Sequence, residues 1–395
     1  MIRPAGRVMR PHNPRAWACR FGGATFVVAV RGCPAPPSDA RPLHTFPRWT
    51  FAHIQRITHR HARASAGRST LVAFVIAAAL ASALPVDALG SVAAGSRRSG
   101  RPTLTAQRLQ ADLLAGARTR RVPADLSPRL AVAWAATPVI ARDGCNVPRD
   151  GVKSKGCVFG DPKSHTTVVL FGDSHAAAWF PALDEISRQQ HWRLVVLTKD
   201  GCPPAEVKIA AWFRHGAPYW ECSAWRANAE AQIARLHPAL VIMGEARYLE
   251  VPETTPVGGA SGESTWLDGL ASIFGFLRRS ASHVVFMSDS PTLSQRAPAC
   301  VASHRTDVQF CSTSLVTATR LPAVKAQELQ IADQEHVTAI DPTGWFCTPT
   351  TCPVIVNHTL LYRDNAHMVP EWSQFLAPLL AGAIVPILRP QPRQG

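Results

Sequence analysis

TTVVLFGDSHAA, residues 166–177, is the stretch from which the rest of the chain can be read. A short apolar, β-prone run ends in Gly172-Asp173-Ser174-His175, and the alanines that follow suit a helix. A strand, a tight turn and a helix start place a serine hydroxyl off the carboxyl edge of a sheet. The helix N-terminus beside it favours developing negative charge. A second stretch, Tyr362-Arg363-Asp364-Asn365-Ala366-His367, supplies what a serine nucleophile lacks. An Asp and a His three apart can pair, the carboxylate fixing the imidazole tautomer while the other ring nitrogen faces a hydroxyl. Ser174, Asp364 and His367 are therefore the expected catalytic residues. His358 is a less suitable base, because Asp364 gives His367 the better-formed partner. Asp173 reads as a turn and cap residue, and His175 as structural or substrate-facing.

Outward from residue 166 the chain alternates. Strands are expected at 168–171, 192–198, 239–243, 283–288 and 337–340. Helices are expected at 176–190, 224–236, 266–279 and 323–336, with a terminal helix opened by Pro370 and Glu371. A Gly/Thr/Pro-rich loop covers 251–264. Such alternation means an α/β fold with a doubly wound parallel sheet, whose functional groups lie on loops after the carboxyl ends of the strands. Ser174, Gly201, Arg247 and the Asp364/His367 loop all fall in such places. The tryptophans Trp179, Trp212, Trp220, Trp225 and Trp266 are read as core before they are read as a sugar-stacking face.

The formal net charge of +15 suggests nucleic acid until it is located. Residues 1–101 carry 15 Arg against Asp39 and Asp87, so nearly all the excess lies there. The remainder is almost neutral, and a nucleic-acid partner is not expected. Residues 1–68 hold twelve Arg and one Asp without sustained periodicity, and read as a basic, disordered cytoplasmic tail. His53, His59 and His61 have no ordered scaffold there, and no metal site is expected. Residues 69–86 lack any charge and follow Arg56, Arg60, Arg63 and Arg68. They read as a transmembrane anchor or signal over 69–90, with everything after it exported. An anchor is favoured, and cleavage near Ala81-Ser82-Ala83 stays open. Residues 91–135 then read as a linker with short helices, and 136–395 as the globular domain.

Eight of the ten cysteines lie after the apolar segment, as neighbours: Cys145/Cys157, Cys202/Cys222, Cys300/Cys311 and Cys347/Cys352. The first of these pairs brackets a polar loop just before the strand at 168–171, which reads as the first strand. Eight cysteines allow 105 connectivities, so spacing alone does not settle the pairing. In an exported segment four short loops read as disulfides. Zinc is the competing reading, weakened because Cys347 and Cys352 have no matching second pair, and buried free thiols are the third.

GDSH after a strand, then Gly201-Cys202-Pro203-Pro204, the paired cysteines, Trp345-Phe346-Cys347 with Cys352-Pro353-Val354, and the 362–367 stretch come in an order that resembles the SGNH (GDSL-type) hydrolase family. Within it, the resemblance is to the SGNH domain at the C-terminus of bacterial acyltransferase-family-3 membrane proteins, over roughly residues 145 to 386. The resemblance implies a flavodoxin-like sheet and an oxyanion hole built from the Ser174 amide and Gly201, the glycine after the second strand. The family's usual third donor, an Asn after the next strand, is absent from Met243-Gly244-Glu245-Ala246-Arg247-Tyr248. Arg247 is its expected substitute, with a surface ion-pair role as the alternative. The implied activity is extracytoplasmic O-acyl transfer or ester hydrolysis, most often of acetyl, on a cell-envelope glycan, without a cofactor. The fused family members carry a multi-helix domain that delivers acyl groups. This chain has room for one spanning segment, so either a separate multi-spanning acyltransferase is its partner and supplies the acyl donor, or the domain works alone as an esterase. A degenerate module that binds acylated glycan without turnover is the alternative class.

Overall fold

The computed structural model describes residues 104–214, 217–247 and 262–389. The basic tail, the apolar segment 69–90, the first part of the linker and most of the loop expected at 251–264 lie outside these residues. Among the described residues no helix is long and apolar enough to cross a membrane.

A seven-stranded sheet is built from β1 (Asn146–Val147), β2 (Val158–Gly160), β3 (Thr167–Gly172), β4 (Arg193–Lys199), β5 (Leu240–Gly244), β6 (His283–Met287) and β7 (Thr338–Ile340). Its order is β1-β4-β3-β5-β6-β7, with all of these parallel, and β2 runs antiparallel along β4. The doubly wound arrangement is the one expected from the alternation. Chain order reverses between β3 and β5, so a crevice opens at their carboxyl ends.

Side-chain alternation divides the core in two. Val168, Leu170, Leu194, Val196, Leu240 and Ile242 face one layer, while Val169, Phe171, Val195, Leu197, Val241 and Met243 face the other. Both sets are buried, which explains why the strands read as continuous apolar runs. The first layer holds α1 (Ala106–Gly116), α2 (Ser174–Ala178), α3 (Phe180–Gln189), and residues of α6 (Ala297–Ser303), α8 (Pro370–Phe375) and α9 (Ala377–Ile384). The second holds α4 (Trp220–Leu236), α5 (Gly262–Ser280) and part of α7 (Pro322–Gln334).

Three sequence expectations are corrected. The helix expected over 176–190 is broken at Trp179, because Pro181 has no N–H to continue the first helix and suits the opening turn of a second. The linker expected over 91–135 belongs to the packed body from residue 104 onward. Leu109 and Leu113 are 1% and 0% exposed. Gln110 Nε2 donates to the Gly344 carbonyl at 2.7 Å, and the Ser127 and Leu360 amides donate to the carbonyls of His358 and Ser127, each at 2.9 Å.

The third correction falls on the loop between Cys145 and Cys157. It was expected as a polar loop ahead of the first strand, but two strands already lie at its ends: β1 directly follows Cys145 and β2 directly follows Cys157. Both pair with β4, and the Cys157 carbonyl accepts from the Val196 amide of β4 at 3.1 Å. The pairing itself is as expected. Cys145–Cys157, Cys202–Cys222, Cys300–Cys311 and Cys347–Cys352 are all disulfides, so the readings as zinc ligands and as buried free thiols both fall. Cys157 differs from the other seven bonded cysteines in being half-buried, because it sits where β2 joins the edge of the sheet.

Leu113→Ala is expected to lower the stability of the whole domain by about 2–5 kcal/mol, the cost of a cavity in a core. Urea unfolding measures it; an unchanged midpoint would mean that α1 is not part of the cooperative unit.

Candidate active site

β3 ends at Gly172, paired with Thr198 of β4 on one side and Gly244 of β5 on the other. Gly172 has φ +151°, and a Cβ there would strike the Gly244 carbonyl and the Ala176 side chain. Glycine lets the strands converge and the chain turn at once. Asp173 caps the following helix, its Oδ1 accepting from the His175 amide at 2.7 Å, while its Oδ2 accepts from the Ala246 amide at 2.8 Å. Ser174 is the first residue of α2, at the mouth of the crevice.

The three residues expected to react are brought together. Ser174 Oγ lies 2.8 Å from His367 Nε2, and His367 Nδ1 lies 2.8 Å from Asp364 Oδ2. A carboxylate at Nδ1 places the ring proton there, leaving the Nε2 lone pair to accept from the serine hydroxyl. Asp364 Oδ1 accepts from the amides of Ala366 and His367 at 2.8 and 2.7 Å. Burial would raise the Asp364 carboxyl, but these hydrogen bonds and the His367 ring hold it well below the usual carboxylate range. Burial lowers the pKa of His367, and the His175 and Arg363 charges act the same way, so Asp364 does not raise it above an ordinary histidine.

The loop after β6 braces both halves. Tyr362 Oη donates to the Pro291 carbonyl at 2.9 Å. The amides of Ala297 and Leu293 donate to the carbonyls of Asp364 and Asn365 at 3.0 and 2.7 Å. The same loop carries Asp289, which the sequence reading missed. Asp289 Oδ1 is 2.7 Å from His175 Nδ1, and its Oδ2 accepts from the Arg247 amide at 3.1 Å. An acid directly after the apolar strand at 283–288 was the available signal.

Arg247 is in an ion pair, as the alternative had it, but a buried one and not one on the surface. It is buried, and its guanidinium makes a bidentate pair with Glu328, Nε to Oε1 at 2.8 Å and Nη2 to Oε2 at 2.6 Å. Nη1 donates to the Arg320 carbonyl at 3.0 Å, and Trp266 Nε1 shares Glu328 Oε1 at 2.8 Å. This side chain ties the loop after β5 to α5 and α7, and its charge is neutralised there. Gly201 follows β4, the neighbour of β3, with φ +64°. Glu245, near the place of the missing Asn, accepts from the Ala205 amide at 3.0 Å. Burial pushes its carboxyl well above the ordinary range. His358 pairs at 2.7 Å with Asp125 on the surface. Trp179, Trp225 and Trp266 are core, whereas Trp220 is exposed. Cys300, His304 and Cys311 lie together, but the two sulfurs are bonded to each other and offer no thiolate.

Arg247→Ala is expected to destabilise the fold by about 3–5 kcal/mol, because it leaves Glu328 buried and unpaired. Adding Glu328→Gln, which keeps an acceptor for Trp266, should recover much of that loss in denaturant unfolding. A single variant as stable as the parent would refute the structural role.

Residues 144–382 match the family described as the SGNH domain (fused to AT3 domains). No curated protein matches the chain in sequence. Among solved structures, the periplasmic domain of a lipopolysaccharide acetyltransferase from Salmonella ser. Paratyphi A is similar at 14% identity, covering 57% of this chain and 86% of that one, with a TM-score of 0.46. A peptidoglycan O-acetylesterase is similar at 17% identity over 50% of this chain and 47% of its own, TM-score 0.31. A variant of an acetyl-xylooligosaccharide esterase from Geobacillus is similar at 11% identity over 60% of this chain and 100% of its own, TM-score 0.33. The match of 144–382, which spans the strand–turn–helix around Ser174 and the loop of Asp364 and His367, makes the chain a member of the family of SGNH domains fused to AT3 domains, and an ester-acting enzyme.

Proposed function

We propose that the domain moves O-acyl groups, foremost acetyl, on a cell-envelope glycan, with Ser174 as nucleophile, His367 as general base and acid, and Asp364 as the group that orients and supports the imidazole. The observation that carries this is the unbroken series Ser174 Oγ–His367 Nε2–His367 Nδ1–Asp364 Oδ2, with 2.8 Å at each hydrogen bond. Ser174 Oγ attacks the ester carbonyl carbon as its proton passes to Nε2, and the carbonyl π pair moves onto oxygen. The tetrahedral intermediate collapses, the C–O bond to the leaving alcohol breaks, and that alcohol takes the proton from His367. A sugar hydroxyl or water then attacks the acyl-serine, giving its proton to His367, and collapse returns it to Ser174 Oγ. A sugar acceptor makes the domain a transferase, water an esterase.

The developing oxyanion needs fixed donors, each worth about 3–4 kcal/mol. We assign this to the amides of Ser174 and Gly201, without the Arg247 guanidinium. The domain is assigned outside the cytoplasm, which the four disulfides support. Residues 69–90 would be its anchor or signal, and a separate multi-spanning acyltransferase its source of acyl groups.

A fluorophosphonate should add its mass to Ser174. Ser174→Ala should abolish hydrolysis of a small acetyl ester with the fold intact, and His367→Ala should cost nearly as much because the two act as one unit. Asp364→Ala should cost less. A wild-type protein that binds acylated glycan without turnover, with Ser174→Ala binding equally well, would make it a binding module instead.

The pH profile provides a second check. Because burial holds His367 below the ordinary histidine value of 6.5, ester turnover should persist below that pH and fall only when Nε2 becomes protonated. An acid limb centred above 6.5 would contradict this environment for the base.

A further inference from the structure

A second histidine–carboxylate pair lies beside the first, and the reaction sequence above gives it no step. His175 and Asp289 have side chains only 11% and 13% exposed, joined at 2.7 Å. The His175 ring meets the His367 ring edge-on, with centroids 4.7 Å apart and planes at 62°. Burying two opposite charges carries a desolvation cost that a neutral side chain of similar size would avoid. Packing alone therefore does not account for the pair.

We propose that His175, held by Asp289, is a positioning residue for catalysis: its imidazolium bears on the edge of the His367 ring and keeps that ring neutral, so that it can take the Ser174 proton. This rests on the assignment of Ser174 as nucleophile.

The surrounding charges sort the two rings. His175 is faced by Asp173 from the turn before it, Asp289 from the loop after β6 and Asp364 from the catalytic loop. Burial works against its charge, but these three carboxylates outweigh it and raise its pKa to about 9. His367 is paired with the Asp364 carboxylate, while burial and the His175 and Arg363 charges act against its protonation. Arg247 bears on Asp289, but its guanidinium is paired with Glu328. Two chemically identical groups are thus driven apart: one holds its proton, the other gives and takes. The Asp289 carboxylate also fixes the His175 ring through Nδ1, and the Arg247 amide fixes the carboxylate. A charged ring has no lone pair to compete with His367 for the serine hydroxyl.

The substitutions make an unusual pair of expectations. His175→Gln removes a cation, so His367 becomes easier to protonate and the acid limb moves to higher pH. Asp289→Asn removes an anion, which acting directly on His367 would move the limb to lower pH. Acting through His175 it moves the limb up, because the buried ring loses the partner that kept it charged.

The test is the rate of Ser174 modification by a fluorophosphonate in the full-length chain, followed from pH 5 to pH 9. Both variants should be slowed about tenfold at the acid end, roughly one pH unit of limb shift, and should approach wild type at the alkaline end. A loss by one factor at every pH, or a limb that Asp289→Asn moves down, would overturn the proposal. Imidazole nitrogen NMR on the wild-type chain gives a reading that does not depend on the variants folding. At pH 7.5 the proposal requires one of the two rings to be doubly protonated and the other neutral; two neutral rings would overturn it. A wild-type chain that is unlabelled at every pH would remove the nucleophile assignment and this inference with it, whereas labelling with an unmoved limb would remove the inference alone.

Discussion

The Asp173 carboxylate, fully buried between two loops, is the interaction on which the site is arranged. One oxygen accepts from the His175 amide and the other from the Ala246 amide. A buried charge is tolerable when amides hydrogen-bond to it, and such bonds are stronger than neutral ones. The geometric consequence is that the turn after β3 cannot move independently of the loop after β5. Gly172 and Gly244 allow the two strand ends to come close enough for one side chain to span them. With Ala246 held, the next amide, that of Arg247, reaches Asp289, and Asp289 holds His175. Ser174 thus sits between two fixed neighbours, and its position is set by backbone contacts more than by its own side chain.

Four acidic side chains gather at the carboxyl ends of these strands, and their environments give them different work. Asp173 and Asp364 are held by backbone amides, and Asp289 by an amide and the His175 ring. Glu245 has one amide partner, from Ala205, and burial drives it toward its neutral form. An acid there, in place of an amide side chain, joins the loop after β5 to the loop after β4. It links the Gly201 segment to the rest of the site where a third oxyanion donor would have stood.

The sheet was legible because strands covered on both faces must be apolar at every position, and runs such as Val168 to Phe171 have few other readings. The Asp364–His367 pair was legible for a local reason: the two residues lie on one turn, so their pairing needs no knowledge of the fold. What escaped depends on long-range placement. Glu328 is 81 residues from Arg247, and Asp289 is 114 residues from His175. Which acid meets which base follows from strand order, and hydrophobic periodicity does not specify that order. An Arg after a strand therefore had two open readings, oxyanion donor or surface ion pair, until its partner on α7 was placed. The membership of α1 escaped for a related reason, since an amphipathic stripe does not say which surface covers it. The break at Pro181 and the strands β1 and β2 belong to another class. The proline was present to be read, while the strands that follow Cys145 and Cys157 have only two or three residues, too short an alternation to register.

Two of the disulfides follow the same logic of holding loops. Cys202 directly follows Gly201 and is bonded to Cys222 in the first turn of α4. One turn further on, Arg226 donates to the carbonyls of Pro203 and Val207, at 3.2 and 3.0 Å. With Glu245 on the Ala205 amide, the segment that carries Gly201 is held from three directions. Cys300 lies in α6, whose first residue donates to the Asp364 carbonyl, and its bond to Cys311 fastens that helix to the chain beyond it. Amides aimed at a developing charge are effective only if they need no reorganisation when the charge appears. Loops of this length, left to themselves, would lose that advantage to conformational entropy. These two covalent bonds lie close to the backbone groups whose fixed placement the proposed chemistry would require.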